Sequence, residues 1–124
     1  MSTHALIGIL IGKPREEVKY IYCHYDGYPD GVGAELRKNY ATFQSANALL
    51  DKGDCSAICG KVETYMSRGE KWESVSPKYV NKTGFNIKLG KKYNADYIYL
   101  YGDEKGWEIK CCYGYGVQSN FEDE

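Results

Sequence analysis

The chain has 124 residues and a formal net charge of −1; 43% of its residues are apolar and 27% are charged. This composition is typical of one folded domain spanning residues 1–124 and excludes a largely disordered chain. The near-neutral charge argues against a general nucleic-acid coat, which needs excess Lys and Arg to displace counterions, so we expect no long nucleic acid as partner.

The first elements predict a β-hairpin. Residues 5–12 are apolar and branched, which is typical of a buried strand, and residues 18–25 predict a second strand. A polar turn containing proline, at residues 13–17, would join the two. The apolar run is too short for a signal peptide or a membrane span, so we expect a cytoplasmic protein with reduced thiols.

Two helices are predicted to follow the hairpin. Residues 26–31 are dense in turn formers and predict a loop. Asp30 is placed to cap a helix that runs to about Tyr40, and Thr42 is placed to cap a second helix that Gly53 ends. Both helices carry an apolar stripe that would pack on one face of the sheet.

The second half of the chain is harder to interpret. Residues 61–83 are mostly polar, although a strand at residues 61–66 fits, and residues 85–89 fit a short strand. Residues 96–101 and 107–113 predict a clear β-hairpin. Together the elements predict an α+β fold, with an antiparallel sheet of about four to five strands and two helices packed on one face.

Tyrosine is abundant, with thirteen copies, and three of them alternate with aliphatic residues in the predicted strand 96–101. The two sets are Tyr97, Tyr99 and Tyr101 on one face, and Ile98 and Leu100 on the other. We expect the aliphatic face to meet the helices, leaving the tyrosines and Lys110 as a ligand platform or a subunit interface. The alternative is that residues 61–83 fold over this face. A subunit interface at the tyrosine face would make the protein a homo-oligomer, which is what we expect.

The cysteines and histidines give little support to metal binding or catalysis. Cys55 and Cys59 have a spacing that could supply two zinc ligands, but no second pair completes a set of four. Cys23 and His24 are adjacent and point to opposite faces of a strand. We therefore expect no metal, no cofactor and no enzymatic activity, because no nucleophile is paired with a base in a recognisable order.

The segment from His24 to Pro29 is the most unusual local sequence. His24, Tyr25, Asp26 and Tyr28 place an imidazole, two phenols and a carboxylate at a strand-to-helix junction. Such junctions often carry binding groups because a rigid scaffold holds them. The alternative is a structural turn whose aromatic rings cover the core.

Several segments resemble a family of small phage and prophage proteins. The matching stretches are Ser2-Thr3-His4-Ala5-Leu6-Ile7-Gly8, Tyr20-Ile21-Tyr22-Cys23-His24-Tyr25-Asp26-Gly27-Tyr28-Pro29, Gly31-Val32-Gly33, Gly53-Asp54, Tyr97-Ile98-Tyr99-Leu100 and Gly106-Trp107. The pattern is similar to Thoeris anti-defence proteins of the first type. The family usually has Arg and Trp where this chain has His4 and Tyr25, which puts the identity of the ligand in doubt. The resemblance covers both ends of the chain and leaves residues 61–83 unsupported.

The resemblance implies a phage counter-defence protein that sequesters a small cyclic nucleotide immune signal in the infected cell without cleaving it. Such a sponge needs rings to stack on bases, polar groups for base and ribose edges, and Lys or Arg for phosphate. The candidate ligand-binding residues are His24, Tyr25, Asp26, Tyr28, Lys61, Arg68, Phe85, Asn94, Tyr99 and Lys110.

Three other functions compete with nucleotide capture. The first is a phage inhibitor that binds a host defence protein directly through the tyrosine-rich face, because interfaces favour Tyr and Trp. The second is single-stranded nucleic-acid binding across an aromatic sheet, which the net charge disfavours. The third is an enzyme, which lacks a catalytic constellation.

Overall fold

A computed structural model describes residues 3–12, 16–102 and 104–113. Seven strands form one sheet: β1 Ala5–Ile11, β2 Glu17–Cys23, β3 Cys55–Ala57, β4 Glu63–Thr64, β5 Lys78–Asn81, β6 Tyr97–Gly102 and β7 Gly106–Cys111. The strand order is β4-β3-β2-β1-β6-β7, and β5 pairs with β2 beside β3. The predicted β1–β2 and β6–β7 hairpins are both confirmed, although residues 13–15 of the first turn lie outside the described residues.

The sheet is mixed because β1 pairs antiparallel with β2 and parallel with β6. The parallel register places Ala5 opposite Tyr97 and Ile9 opposite Tyr101. Leu6 and Ile7 point to opposite faces of β1, and both side chains are completely buried. A strand that is apolar on both sides belongs in the middle of a covered sheet, which is why β1 takes the central position.

Four α-helices accompany the sheet: α1 Ala34–Asn39, α2 Phe43–Leu50, α3 Trp72–Val75 and α4 Ile87–Lys92. The predicted cap of α2 is confirmed, since the Thr42 hydroxyl accepts from the backbone N–H of Ser45 at 3.1 Å. The predicted cap at Asp30 is wrong. A π-helical turn, Pro29–Gly33, leads into α1 and begins after Tyr28 without any side-chain cap.

Helices cover both faces of the sheet, which therefore has two apolar cores. The first core lies under α1 and α2, and its members include Ile7, Ile21, Val32, Leu36, Leu49, Tyr99 and Ile109. The second lies under α4, and its members include Leu6, Val18, Tyr20, Phe85, Ile98 and Leu100. The predicted α+β class is confirmed. There are more strands than expected, and α4 adds a helix to the second face.

The strand predicted at residues 85–89 is wrong, because this segment starts α4. The side chain of Asn86 accepts a hydrogen bond from the backbone N–H of Leu89 at 3.0 Å and so caps the helix. The segment at residues 61–83 contains short elements only. The strand predicted at residues 61–66 is reduced to Glu63–Thr64, which is followed by a 3-10 turn, Met66–Arg68.

The tyrosine row of β6 is oriented opposite to the prediction. Tyr99 and Tyr101 are 1% and 7% exposed and pack in the core beneath α1 and α2, while Ile98 and Leu100 pack beneath α4. The phenol of Tyr101 donates to the carbonyl of Ala41 at 3.3 Å. The phenols of Tyr99 and Tyr101 can be buried because they reach backbone carbonyls beyond the sheet, partners that a period-of-two pattern does not reveal. This face is therefore not available for self-association.

None of the helices in the described ranges reaches the length and hydrophobicity that a bilayer-spanning helix needs.

Candidate ligand-binding site

The loop that follows β2 is held by backbone hydrogen bonds on both sides. The N–H of Tyr25 donates to the carbonyl of Ser56 at 2.8 Å, and the N–H of Gly27 donates to the carbonyl of Thr3 at 2.8 Å. A Cβ atom on Gly27 would lie 2.8 Å from the carbonyl carbon of His4. The close approach requires glycine, so the chain between β2 and the π-helical turn has a fixed path.

Side chains from four separate segments lie near one another beside this loop. They form one surface, here called the histidine–tyrosine cluster, which consists of the half-buried residues His4, Tyr22, His24, Tyr65 and Tyr93 and the exposed residues Tyr25 and Arg68. His4 and Tyr22 come from the strands β1 and β2 or their ends, and Tyr93 from the end of α4. Tyr65 and Arg68 come from the segment between β4 and α3.

The two histidines stack on each other at the centre of the cluster. Their ring centroids are 4.4 Å apart and their planes are inclined by 26°. Nδ1 of His4 lies 2.6 Å from the carbonyl oxygen of His24, and Nδ1 of His24 lies 2.9 Å from the hydroxyl of Tyr22. Both rings are therefore oriented by hydrogen bonds that do not involve Nε2.

Desolvation, the neighbouring imidazole of His4 and the positive charge of Arg68 lower the pKa of His24, in that order of importance. Burial also raises the pKa of Tyr22 to about 12, with smaller contributions from neighbouring acidic groups. Both effects favour the uncharged side chain near pH 7. His24 and Tyr22 are consequently a neutral hydrogen-bonded pair.

A network of phenols continues from the cluster towards α4. The rings of Tyr22 and Tyr93 stack with centroids 6.5 Å apart, and the hydroxyls of Tyr93 and Tyr20 are 3.1 Å apart. This contact anchors α4 to the sheet at the edge of the cluster. Asn94 follows directly, is exposed and has a φ of +59°.

The positive charge of the cluster is supplied by Arg68. Its guanidinium carbon lies 5.4 Å from the centroid of the Tyr65 ring, which is a cation–π distance. The carboxylates closest to the cluster are already engaged. Asp96 accepts from the backbone N–H of His4 at 3.0 Å, and Asp54 accepts from the backbone N–H of Tyr22 at 2.9 Å. The arrangement suits an anionic ligand with an aromatic group.

The structure divides the predicted site residues of the loop between two surfaces. His24 and Tyr25 belong to the cluster, with Arg68. Asp26 and Tyr28 instead line a groove of about 380 Å³ on the side of α1, together with Asp30, Glu35, Lys38 and Cys59. The lining of this groove has three carboxylates and one lysine, so its negative charge is unfavourable for binding a phosphate.

Three predicted site residues are buried within the protein, which corrects their assignment as ligand contacts. Phe85 is 3% exposed and packs in the second core, where its ring lies against Gly8. Tyr99 is 1% exposed, and Lys110, opposite Ile98 in the β6–β7 pairing, is 2% exposed. Lys61 is exposed and makes none of the contacts that define the cluster.

Four residues of the cluster were missed by the sequence analysis. Tyr22 and Tyr93 have no local pattern that sets them apart from the other tyrosines. Tyr65 lies in residues 61–83, the part of the chain that is hardest to interpret from sequence. His4 was visible in the sequence, but its position beside His24 depends on the β1–β2 pairing, which places Ala5 opposite Cys23.

A second groove of about 600 Å³ is lined in part by the same 3-10 turn. Its lining includes Lys52, Val62, Met66 and Trp72. The side chains of Met66 and Trp72 are 49% and 41% exposed. The segment from β4 to α3 thus contributes residues to this groove and to the histidine–tyrosine cluster.

Within the described part of the chain, no three His, Cys, Asp or Glu side chains converge so as to hold a metal ion. Cys23 and Cys55 are buried and lie opposite each other in the β2–β3 pairing. Burial raises the pKa of the Cys55 thiol to about 12, so this thiol stays protonated near neutral pH.

Comparison of the chain with models of known protein families, with curated proteins and with solved structures finds no match.

Proposed function

We propose that this protein is a phage counter-defence protein that captures a small cyclic nucleotide immune signal and holds it intact. The observation that carries the proposal is the histidine–tyrosine cluster. It has several aromatic rings, two imidazoles and the guanidinium of Arg68 on one partly exposed surface.

Each part of the cluster has a role in this proposal. Tyr25, which is 47% exposed, stacks on a base from the side of the loop. Arg68 binds a phosphate, because a guanidinium matches phosphate oxygens in geometry and charge. The backbone bonds of Tyr25 and Gly27 keep the loop in place before the ligand arrives, which lowers the entropic cost of binding.

Capture without cleavage fits the state of the groups around the loop. The thiols of Cys23 and Cys55 are fully buried, and burial raises both of their pKa values. The carboxylates of Asp54 and Asp96 accept backbone hydrogen bonds. These groups hold the scaffold, and the residues left to meet a ligand stack, donate and neutralise charge.

The alternative function, direct inhibition of a host defence protein, was based on an exposed tyrosine-rich face of β6. Tyr99 and Tyr101 of the tyrosine-rich face are buried under α1 and α2. Such an inhibitor would have to use another surface, for example around Tyr79, which is 56% exposed on β5.

The decisive experiment is equilibrium dialysis of the protein against cyclic ADP-ribose, 3′,3′-cyclic di-AMP and cyclic tri-AMP. We expect depletion of at least one of these from the outer chamber, and its recovery as the intact compound when the protein is heated. Arg68→Ala should abolish most of the depletion. Tyr79→Ala, a change of an exposed aromatic on another strand, should leave it unchanged.

Two outcomes would contradict the proposal. Recovery of hydrolysed products would indicate an enzyme. Absence of depletion for every nucleotide, with the protein folded by circular dichroism, would leave capture without support and favour a protein target.

A further inference from the structure

The hydrogen bonds around His4 and His24 assign a different tautomer to each ring. A carbonyl oxygen only accepts, so the contact of 2.6 Å from Nδ1 of His4 to the His24 carbonyl places the proton of His4 on Nδ1. Its Nε2 is then an acceptor. At His24, the Tyr22 hydroxyl lies 2.9 Å from Nδ1. A phenol is a better donor than an imidazole N–H, so Nδ1 accepts and Nε2 carries the proton.

Both Nε2 atoms are open to a ligand. In the described residues neither has a hydrogen-bond partner, and no buried side-chain nitrogen or oxygen lacks one, so both reach solvent. Because the ring centroids are 4.4 Å apart, a ring that donates through Nε2 lies next to a ring that accepts through Nε2. This pair is complementary to an amino group next to a ring nitrogen, as on adenine or cytosine.

Building on the proposed function, we propose that His4 and His24 act as neutral rings that read the amino–imino edge of a base, while Arg68 alone takes the phosphate. The opposite expectation would be that protonated histidines bind phosphate. The two differ in the atoms offered to the ligand, because an imidazole that is protonated on both nitrogens has no acceptor at Nε2.

The surroundings of His24 favour a neutral ring. A charge on His24 would lie beside the ring of His4 and near Arg68, and the carboxylate of Asp96 is directed to the backbone N–H of His4. The desolvated, lowered pKa of His24 agrees with this. The titratable and charged side chains that face the pair are Tyr22 and Tyr25 from β2 and its loop, Tyr65 and Arg68 from the β4–α3 segment, Tyr93 from the end of α4, and Asp96 before β6.

The first test needs no ligand. Nitrogen-15 NMR correlation spectra of the histidine rings at pH 8 should show His4 protonated at Nδ1 and His24 protonated at Nε2. The same tautomer on both rings would overturn the proposal, whatever the protein binds.

The second test measures affinity at pH 8 for the tightest binder among cyclic ADP-ribose, 3′,3′-cyclic di-AMP and cyclic tri-AMP. His4→Gln keeps a polar atom near the position of Nε2, so its affinity should stay within threefold of that of the parent protein. His4→Asn keeps only the position of Nδ1 and should bind at least tenfold more weakly.

The outcomes separate this proposal from the proposed function. Equal affinity of His4→Gln and His4→Asn would overturn the edge-reading role while capture itself stands. Absence of binding by all three probes would overturn both.

Discussion

The phenol of Tyr99 donates a hydrogen bond of 2.7 Å to the carbonyl oxygen of Gly27. Tyr99 is in the middle of β6, and Gly27 is in the loop that carries His24 and Tyr25. A buried tyrosine of the sheet thus supports the loop from below. Its effect on a ligand would be exerted through the position of the loop.

Removing this hydroxyl should therefore affect both stability and binding. In Tyr99→Phe the carbonyl of Gly27 loses its buried donor, which should lower the free energy of unfolding by about 1–3 kcal/mol. Urea denaturation measures this loss, and dialysis of the folded variant should show weaker nucleotide capture. Tyr101→Phe is the matched control, because its phenol bonds Ala41, away from the loop. Equal effects of the two variants on capture would contradict a role for Tyr99 in positioning the loop.

Tyr25→Ala should weaken binding without loss of stability. The ring is 47% exposed, and loss of one stacked base costs about 1–3 kcal/mol, or roughly 5- to 150-fold in affinity. Isothermal titration with the nucleotide found by dialysis measures the change, and thermal unfolding should match that of the parent protein. Tyr79→Ala removes an equally exposed ring from β5 and should change neither quantity. Unchanged affinity of the Tyr25→Ala variant would show that this loop is not part of the binding site.

Phe85→Ala should act on stability, in contrast to the ligand contact predicted from the sequence. The ring is 3% exposed, so its removal leaves a cavity and should cost about 3–5 kcal/mol. Gly8→Ala tests the same contact from the other side, because its Cβ would lie 2.9 Å from Cζ of Phe85 and 2.8 Å from Cγ1 of Val18. Overpacking of this kind lowers the free energy of unfolding by about 1–3 kcal/mol. A stable Phe85→Ala protein would show that the second core is not closed by this ring.

The five thiols should differ in reactivity. Cys23, Cys55 and Cys112 are buried, with raised pKa values, and the pKa of Cys112 is about 11. At pH 8 few of these thiols are ionised, so iodoacetamide should modify the half-exposed Cys59 and Cys111 first. Peptide mapping by mass spectrometry after short labelling measures the order, and all five should react in denaturant. Protection of Cys59 accompanied by stoichiometric zinc in elemental analysis would contradict the expected absence of a metal.

The features that could be predicted from the sequence are those fixed by local chemistry. The apolar run of β1 predicts a buried strand, and Thr42 followed by an apolar face predicts a capped helix. The loop around His24 and Tyr25 was identified because its side chains are unusual for a turn. Each of these signals lies within about ten neighbouring residues.

The remaining features depend on contacts between distant segments. Alternation in β6 shows that Tyr99 and Ile98 face opposite ways, but which face meets α1 and α2 is decided by the carbonyl of Gly27, 72 residues away in sequence. The cap at Asn86 could have been found from sequence, since Asn is a favoured capping residue before an apolar run. Lys110 was predicted to share the tyrosine face and to contact a ligand, but the β6–β7 register places it opposite Ile98, and it is 2% exposed.

The parallel pairing of β1 with β6 has a consequence for synthesis in the cell. Ala5 pairs with Tyr97, and at a translation rate of roughly 5–20 residues per second the ribosome needs about 5–20 s to make the chain between them. During this time the apolar β1 has only β2 beside it, and one of its edges is unpaired. The nascent hairpin is then a substrate for chaperones or for wrong strand pairing. The contact between Asp96 and His4, which lies at the edge of the histidine–tyrosine cluster, can form only after this part of the chain has left the ribosome.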